Sequence, residues 1–229
     1  MSIDLFAVCF DAIDPPRVAR FWSGLLGWEP ADERGQPTGV ATLLPGDDTG
    51  FRLRFVATDE PKTRQNLAHF DLTSNLEEQD RIVARALALG ATHADVGQKG
   101  DEGHVVLADP EGNEFDVIEP GNNFLADCGF IGALACDGSQ REGYFWSAAL
   151  GWPLVWDENE ETAIRSPRGG PKITWGGPPN AVRPPQDRVR LELAADDRQA
   201  ETDRLIGLGA TLVDGDTLAD PDGNHFRLL

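Results

Sequence analysis

Basic side chains are scarce in this sequence: 20 lysines and arginines stand against 39 aspartates and glutamates, a formal charge of −19 over 229 residues. The deficit runs the whole length, with 22 acidic and 10 basic residues in 1–124 and 17 and 10 in 125–229. That balance argues against nucleic acid or an anionic membrane as partner, and the acid reads as a solubilising surface. Cysteine is scarce too. Cys9, Cys128 and Cys136 are odd in number and lack Cys-x-x-Cys spacing, which disfavours a secreted disulfide scaffold. No apolar run approaches the roughly 20 residues of a membrane-spanning helix, and no charged, apolar leader opens the sequence. No Gly-Lys-Ser or Gly-Lys-Thr phosphate loop occurs. A soluble cytoplasmic protein is the expectation.

What is present is an internal repeat. Ala-Arg-Phe-Trp-Ser-Gly-Leu-Leu-Gly-Trp at 19–28 returns as Gly-Tyr-Phe-Trp-Ser-Ala-Ala-Leu-Gly-Trp at 143–152, and Ala-Asp-Pro-Glu-Gly-Asn-Glu-Phe at 108–115 as Ala-Asp-Pro-Asp-Gly-Asn-His-Phe at 219–226. Leu-Gly-Ala-Thr occurs between them at 89–92 and 208–211. The landmarks keep their order while the offset shrinks, as in a duplicated module with trimmed loops. Residues 1–120 form the first module, 121–127 a linker and 128–229 the second.

Within the first module, 5–11 reads as a strand. Asp14-Pro15 then supplies an N-cap and a first-turn proline for a helix that Gly27 ends. Strands are expected at 38–44, 51–56 and 67–73. Ser74 to Glu77 has capping-box spacing for a second helix with Ile82, Val83, Ala86 and Leu89 inward, and Ser139 to Glu142 repeats it. Strands near 104–108 and 114–118 flank the Asp-Pro-Glu-Gly-Asn turn. The order is βαβββ, twice per module.

Period-two alternation assigns strand faces. It puts Phe6, Val8 and Phe10 inward, leaving Ala7, Cys9 and Asp11 on the other face. Phe51, Leu53 and Phe55 oppose Arg52 and Arg54; Phe70 and Leu72 oppose His69 and Asp71; Phe115 and Val117 oppose Glu114 and Asp116. Cys9, Asp11, Arg52, Arg54, His69, Asp71, Glu114 and Asp116 are the candidate site residues, weighed evenly against an ordinary solvated sheet face. Trp22, Trp28, Trp146 and Trp152 read as core, and Cys9 as an inert buried thiol.

The Phe-Trp-Ser-x-x-Leu-Gly-Trp helix end, the His-Phe-Asp-Leu strand and the closing Asp-Pro-Glu-Gly-Asn-Glu-Phe resemble the glyoxalase-like members of the vicinal oxygen chelate superfamily. The resemblance implies an α+β fold of two tandem glyoxalase-like modules, each of paired βαβββ units forming a curled, mainly antiparallel eight-stranded sheet whose polar faces line a cup. It also implies a divalent metal on facing strands in the enzymes. The matching positions here read Ala7, Arg52 or Arg54, His69 and Asp116 in the first module, and Ile131, Lys172 or Thr174, Arg190 and Arg227 in the second.

The second set holds no usual metal ligand at neutral pH; Arg190, Arg227 and Lys172 are expected to pair internally with Glu192 rather than take an anion. His225 lies in the last strand, off the ligand position. In the first set His69 and Asp116 are the ligands if any metal binds, but arginines nearby oppose a cation. The favoured expectation is therefore a small-organic-molecule binder of the resistance or sequestration type, without cofactor, with ligand contacts from Cys9, Asp11, Arg52, Arg54, His69, Glu114 and Asp116. The alternative is an enzyme, either metal-assisted or using His69, Asp71 and Asp116 as metal-free acid–base groups. His104 reads as a surface histidine, and the resemblance is compatible with a homodimer.

Overall fold

A computed structural model describes residues 3–32, 34, 37–47, 49–100, 102–176 and 187–229. The first unit is β1 (Ile3–Ala12), α1 (Pro15–Leu26), β2 (Glu29–Pro30), β3 (Val40–Leu44) and β4 (Arg52–Ala57), and the second is β5 (Ala68–Leu72), α2 (Gln79–Ala88), β6 (Thr92–His93), β7 (Val105–Ala108) and β8 (Glu114–Val117). The third runs β9 (Ile131–Asp137), α3 (Gln140–Leu150), β10 (Leu154–Glu158), β11 (Glu161–Arg165) and β12 (Lys172–Gly176). The fourth is β13 (Val189–Ala195), α4 (Arg198–Leu208), β14 (Thr211–Asp214), β15 (Thr217–Ala219) and β16 (His225–Leu228). Four βαβββ units thus follow one another.

They build two eight-stranded, mainly antiparallel sheets, ordered β14-β15-β16-β13-β1-β4-β3-β2 and β10-β11-β12-β9-β5-β8-β7-β6. The units combine across the repeat. The first joins the fourth through the antiparallel pair β1–β13, and the second joins the third through β5–β9. The chain passes between sheets inside each repeat, after β4 and after β12, while the linker between β8 and β9 stays within one sheet.

Asp14 caps α1 by accepting the Arg17 N–H at 3.1 Å, Pro15 and Pro16 open it, and Gly27 ends it at φ 72°, a left-handed turn that glycine adopts without steric penalty. The expected capping boxes do not form. Helix α2 starts at Gln79, because Ser74 Oγ donates instead to the Ile118 carbonyl at 2.6 Å and Asn75 to that of Leu125 at 2.9 Å. Ser139 does precede α3, but its Oγ donates to Asp222 at 2.9 Å, and Glu142 accepts the Asp222 N–H at 2.8 Å. Both serines satisfy tertiary partners rather than their own helices.

One core joins the two sheets. Trp22 of α1 sits edge-on to Phe70 at 5.7 Å and Phe115 at 5.2 Å, and Phe10 lies 5.8 Å from Phe70. Trp146 of α3 stacks on Trp175 at 6.5 Å and meets Phe226 edge-on at 5.0 Å, tying β12 to β16. The polar faces of both sheets are turned away from this shared core. Phe6 departs from the expected alternation. A bulge between Leu5 and Ala7 puts Leu5 in the core and frees Phe6, whose ring lies 4.0 Å beneath the Arg52 guanidinium, a favourable contact of cation with π face.

Candidate functional site

The exchange of units divides the predicted site residues between two cups. Cys9, Asp11, Arg52 and Arg54 lie on the sheet of β1 and β4, here cup A, with Arg190, Glu192 and Arg227. His69, Asp71, Glu114 and Asp116 lie on the sheet of β5 and β8, cup B, with Ala133, Ala135 and Thr174 opposite. One cup containing all eight does not form. Contrary to expectation, Arg52 and Arg54 do not oppose a cation at His69 and Asp116, because the arginines belong to the other sheet.

In cup B the register explains the clustering. Asp71 on β5 pairs laterally with Asp116 on β8, and His69 is two residues along the same face. His69 Nε2 is 3.5 Å from Asp71 Oδ1 and 3.7 Å from Asp116 Oδ2. One donor atom from each of the three falls within 4.8 Å of the others. His104 Nε2 lies 3.8 Å from Asp116, so that histidine points into the cluster rather than reading as plain surface. Burial opposes a charge on His69, but the hydrogen bond and charge of Asp71, with Asp116 and Asp137, outweigh it and raise the imidazole above its ordinary value. Burial and then the charge of Asp71 raise Asp116, against the pull of His69 and His104. Neighbouring carboxylates favour the charged imidazole, while burial and a like charge disfavour the charged form of Asp116.

Glu114 stays outside the cluster. It accepts from Lys62 Nζ at 2.6 Å and from the Asn66 N–H at 3.2 Å, which fastens the segment leading into β5. Beside His69 opens a cleft of about 420 Å³ floored by Ala135 and Thr174 and walled by Phe124 and Trp156, whose rings meet edge-on at 5.7 Å. Phe124 comes from the linker. Lys172 donates to the Phe124 carbonyl and to Asp127 at 3.2 Å, Arg165 also holds Asp127, and Leu125 is buried against Ala133. The linker is thus a wall of cup B, and Lys172 serves it, not Glu192. Sequence reasoning missed Phe124 and Trp156. The available signal was a large aromatic in a short Gly-Asn-Asn linker and another beside the Asp-Glu end of an exposed strand.

Cup A is basic and largely self-paired. Arg54 holds Glu192, Arg190 holds Asp11 at 2.6 Å, and Arg227 holds Asp216. Cys9 is buried there, and burial pushes its thiol up to about 12 against the opposing charge of Arg190, so it stays protonated and unreactive. His225 shares a face with Arg227, two residues along β16. Ile131 is in the core, because a bulge between Asp71 and Leu72 makes Ala133 and Ala135 the cup-facing residues of β9.

A family model described as Glyoxalase-like domain matches residues 7–118 and 132–229. Glyoxalase I from Zea mays superposes with a TM-score of 0.66 at 13% identity, covering 99% of this chain and 92% of that one. A putative dioxygenase from Bacillus subtilis gives 0.58 at 14% identity over 100% and 86% of the two chains. A glyoxalase/bleomycin resistance protein/dioxygenase family enzyme from Burkholderia phytofirmans gives 0.37 at 22% identity over 50% and 96%. No curated protein matches the sequence. Among the described residues no helix is long and apolar enough to cross a membrane.

Proposed function

The chain belongs to the glyoxalase-like domain family, and from that premise we propose that cup B binds a small organic molecule. Its polar end would rest on His69, Asp71 and Asp116, and its apolar body against Ala135, Phe124 and Trp156. The observation that carries this reading is the convergence of the three polar donors within 4.8 Å beside an aromatic-walled cleft. The cleft, about 420 Å³, falls in the roughly 300–1,000 Å³ range of small-molecule pockets. His69, whose imidazole is raised above its ordinary value beside two carboxylates, offers a ring N–H as hydrogen-bond donor to an oxygen of the ligand. The small side chain of Ala135 on β9 leaves room for it.

A second reading, a metal-assisted enzyme, is favoured by the same cluster. One imidazole and two carboxylates suit a borderline or hard divalent ion; burial and then the charge of Asp71 raise Asp116, and a cation would relieve the second of these. His69, Asp71 and Asp116 would be its ligands, and when bound it would polarise a ligand oxygen as a Lewis acid.

The test is a thermal-shift screen of small organic molecules, followed by titration of the best hit and elemental analysis of the purified protein. His69→Ala is expected to weaken the hit at least about tenfold, the equivalent of about 1.4 kcal/mol, while Arg81→Gln on the exposed side of α2 leaves it unchanged. Equal affinity in His69→Ala overturns the assignment to cup B. A stoichiometric divalent ion that is lost in Asp116→Asn selects the metal-assisted reading over the metal-free one.

A further inference from the structure

The two cups correspond strand for strand, since β13 stands to β1 as β5 stands to β9. Arg190 opposite Cys9 takes the place of His69 opposite Ala135, and Glu192 opposite Ala7 that of Asp71 opposite Ala133. Arg227 beside Glu192 takes that of Asp116 beside Asp71. The positions that make an acidic cluster in cup B therefore carry two guanidiniums around one carboxylate in cup A.

Those guanidiniums open on a cleft of about 370 Å³, which Asp216, Thr217 and His225 also line. Arg190 is fixed by Asp11 and is 9% exposed. Glu192 is fully buried and bound by Arg54 through one oxygen; its other oxygen, Oε1, has no hydrogen bond, and Arg227 Nη1 stops 3.8 Å short of it, beyond hydrogen-bond reach. Arg227 is thus not committed to the buried carboxylate. Its Nη2 instead donates to Asp216, which is 27% exposed on the tight turn between β14 and β15. Arg190 and Arg227 are also close enough for each to repel the other's charge. An anion between them relieves that repulsion.

We propose that cup A is a second binding site, for a small organic anion whose carboxylate or phosphate group docks on Arg227 and Arg190 in the place taken by the Asp216 carboxylate. A guanidinium fork matches either oxyanion through paired N–H donors, and His225 and Thr217 add polar contacts on the same face. Asp216 acts as an internal stand-in for the ligand. A partly exposed ion pair of this kind contributes little to stability, so an entering anion displaces it readily.

The test is calorimetric titration of the full chain with inorganic phosphate, succinate and benzoate at constant ionic strength. At least one of the three is expected to bind. Asp216→Asn, which removes the charge of the competitor, is expected to tighten binding several-fold, and Arg227→Gln to weaken it about tenfold or more. Binding of phosphate alone marks a phosphate-bearing ligand; binding of succinate or benzoate alone marks a carboxylate. The proposal is overturned if none of the three binds either wild type or Asp216→Asn, if Arg227→Gln binds as wild type does, or if His69→Ala abolishes binding while Arg227→Gln keeps it. Should Arg227→Gln fail to fold, by circular dichroism, the Asp216→Asn comparison decides alone, and unchanged or weaker binding there rejects displacement.

Discussion

At the scale of single residues, the buried carboxyl of Glu142 is the group most at odds with its surroundings. It is fully buried where α3 meets the Asp220–Asn224 turn, Oε1 accepts the Asp222 N–H, and Oε2 has no donor. Burial, then the hydrogen bond and charge of Asp220, push it up to about 10. It is therefore protonated in the folded state at neutral pH and ionised in the unfolded chain. A carboxyl whose folded value lies above its unfolded one of 4.5 weakens folding progressively as pH rises from the unfolded value toward the folded one. Glu142→Gln keeps the acceptor for Asp222 and gives Asp220 a permanent N–H donor. It is expected to raise stability at pH 8 by about 1 kcal/mol or more, and to flatten the pH dependence between 5 and 9, as measured by urea denaturation. An unchanged slope would show that Glu142 is ionised in the fold.

At the scale of elements, α3 lies so close to β11 that only glycine fits at position 143. A Cβ there would sit 2.2 Å from Thr162 Oγ1, and the strand side of the contact is buried. Gly143→Ala is expected to lower stability by about 1–3 kcal/mol through overpacking. Gly207→Ala in α4, where a Cβ meets nothing within 4 Å, should instead gain up to about 1 kcal/mol from helix propensity. Chemical denaturation of the pair separates packing from propensity, and equal effects would count against the close approach. Helix α1 was legible in the sequence because its cap, prolines and stop glycine act locally. The capping boxes at Ser74 and Ser139 were not, since their hydroxyls found partners 44 and 83 residues away. Phe6 faces away from the core for a similar reason: the bulge puts the residues before it out of step with Val8 and Phe10 after it, so that Leu5 takes the inward place, and nothing in the local pattern announces it.

At the scale of the whole molecule, the repeat and the four βαβββ units were legible, because helix ends and turns recur in order. Which unit pairs with which was not, because β1 is as apolar inward as β5, and either could accept β9 or β13 by pattern alone. The site followed that choice. Sorting by sheet puts all four cup arginines together and leaves His69, Asp71 and Asp116 free of them. It also means that neither sheet is complete without both halves of the chain. A fragment of residues 1–127 contains β1 and β5 but lacks β13 and β9, so both central strands become open edges with apolar faces behind them. Exposed edges of that kind associate with other chains. The fragment is therefore expected to self-associate or aggregate by light scattering, with poorly dispersed amide resonances. Co-expression with 128–229 should restore a soluble complex with the spectrum of the full chain. A monomeric 1–127 fragment that unfolds cooperatively would show that a module can close its own eight-stranded sheet, and that the exchange between repeats is a choice of partners, not a requirement of the fold.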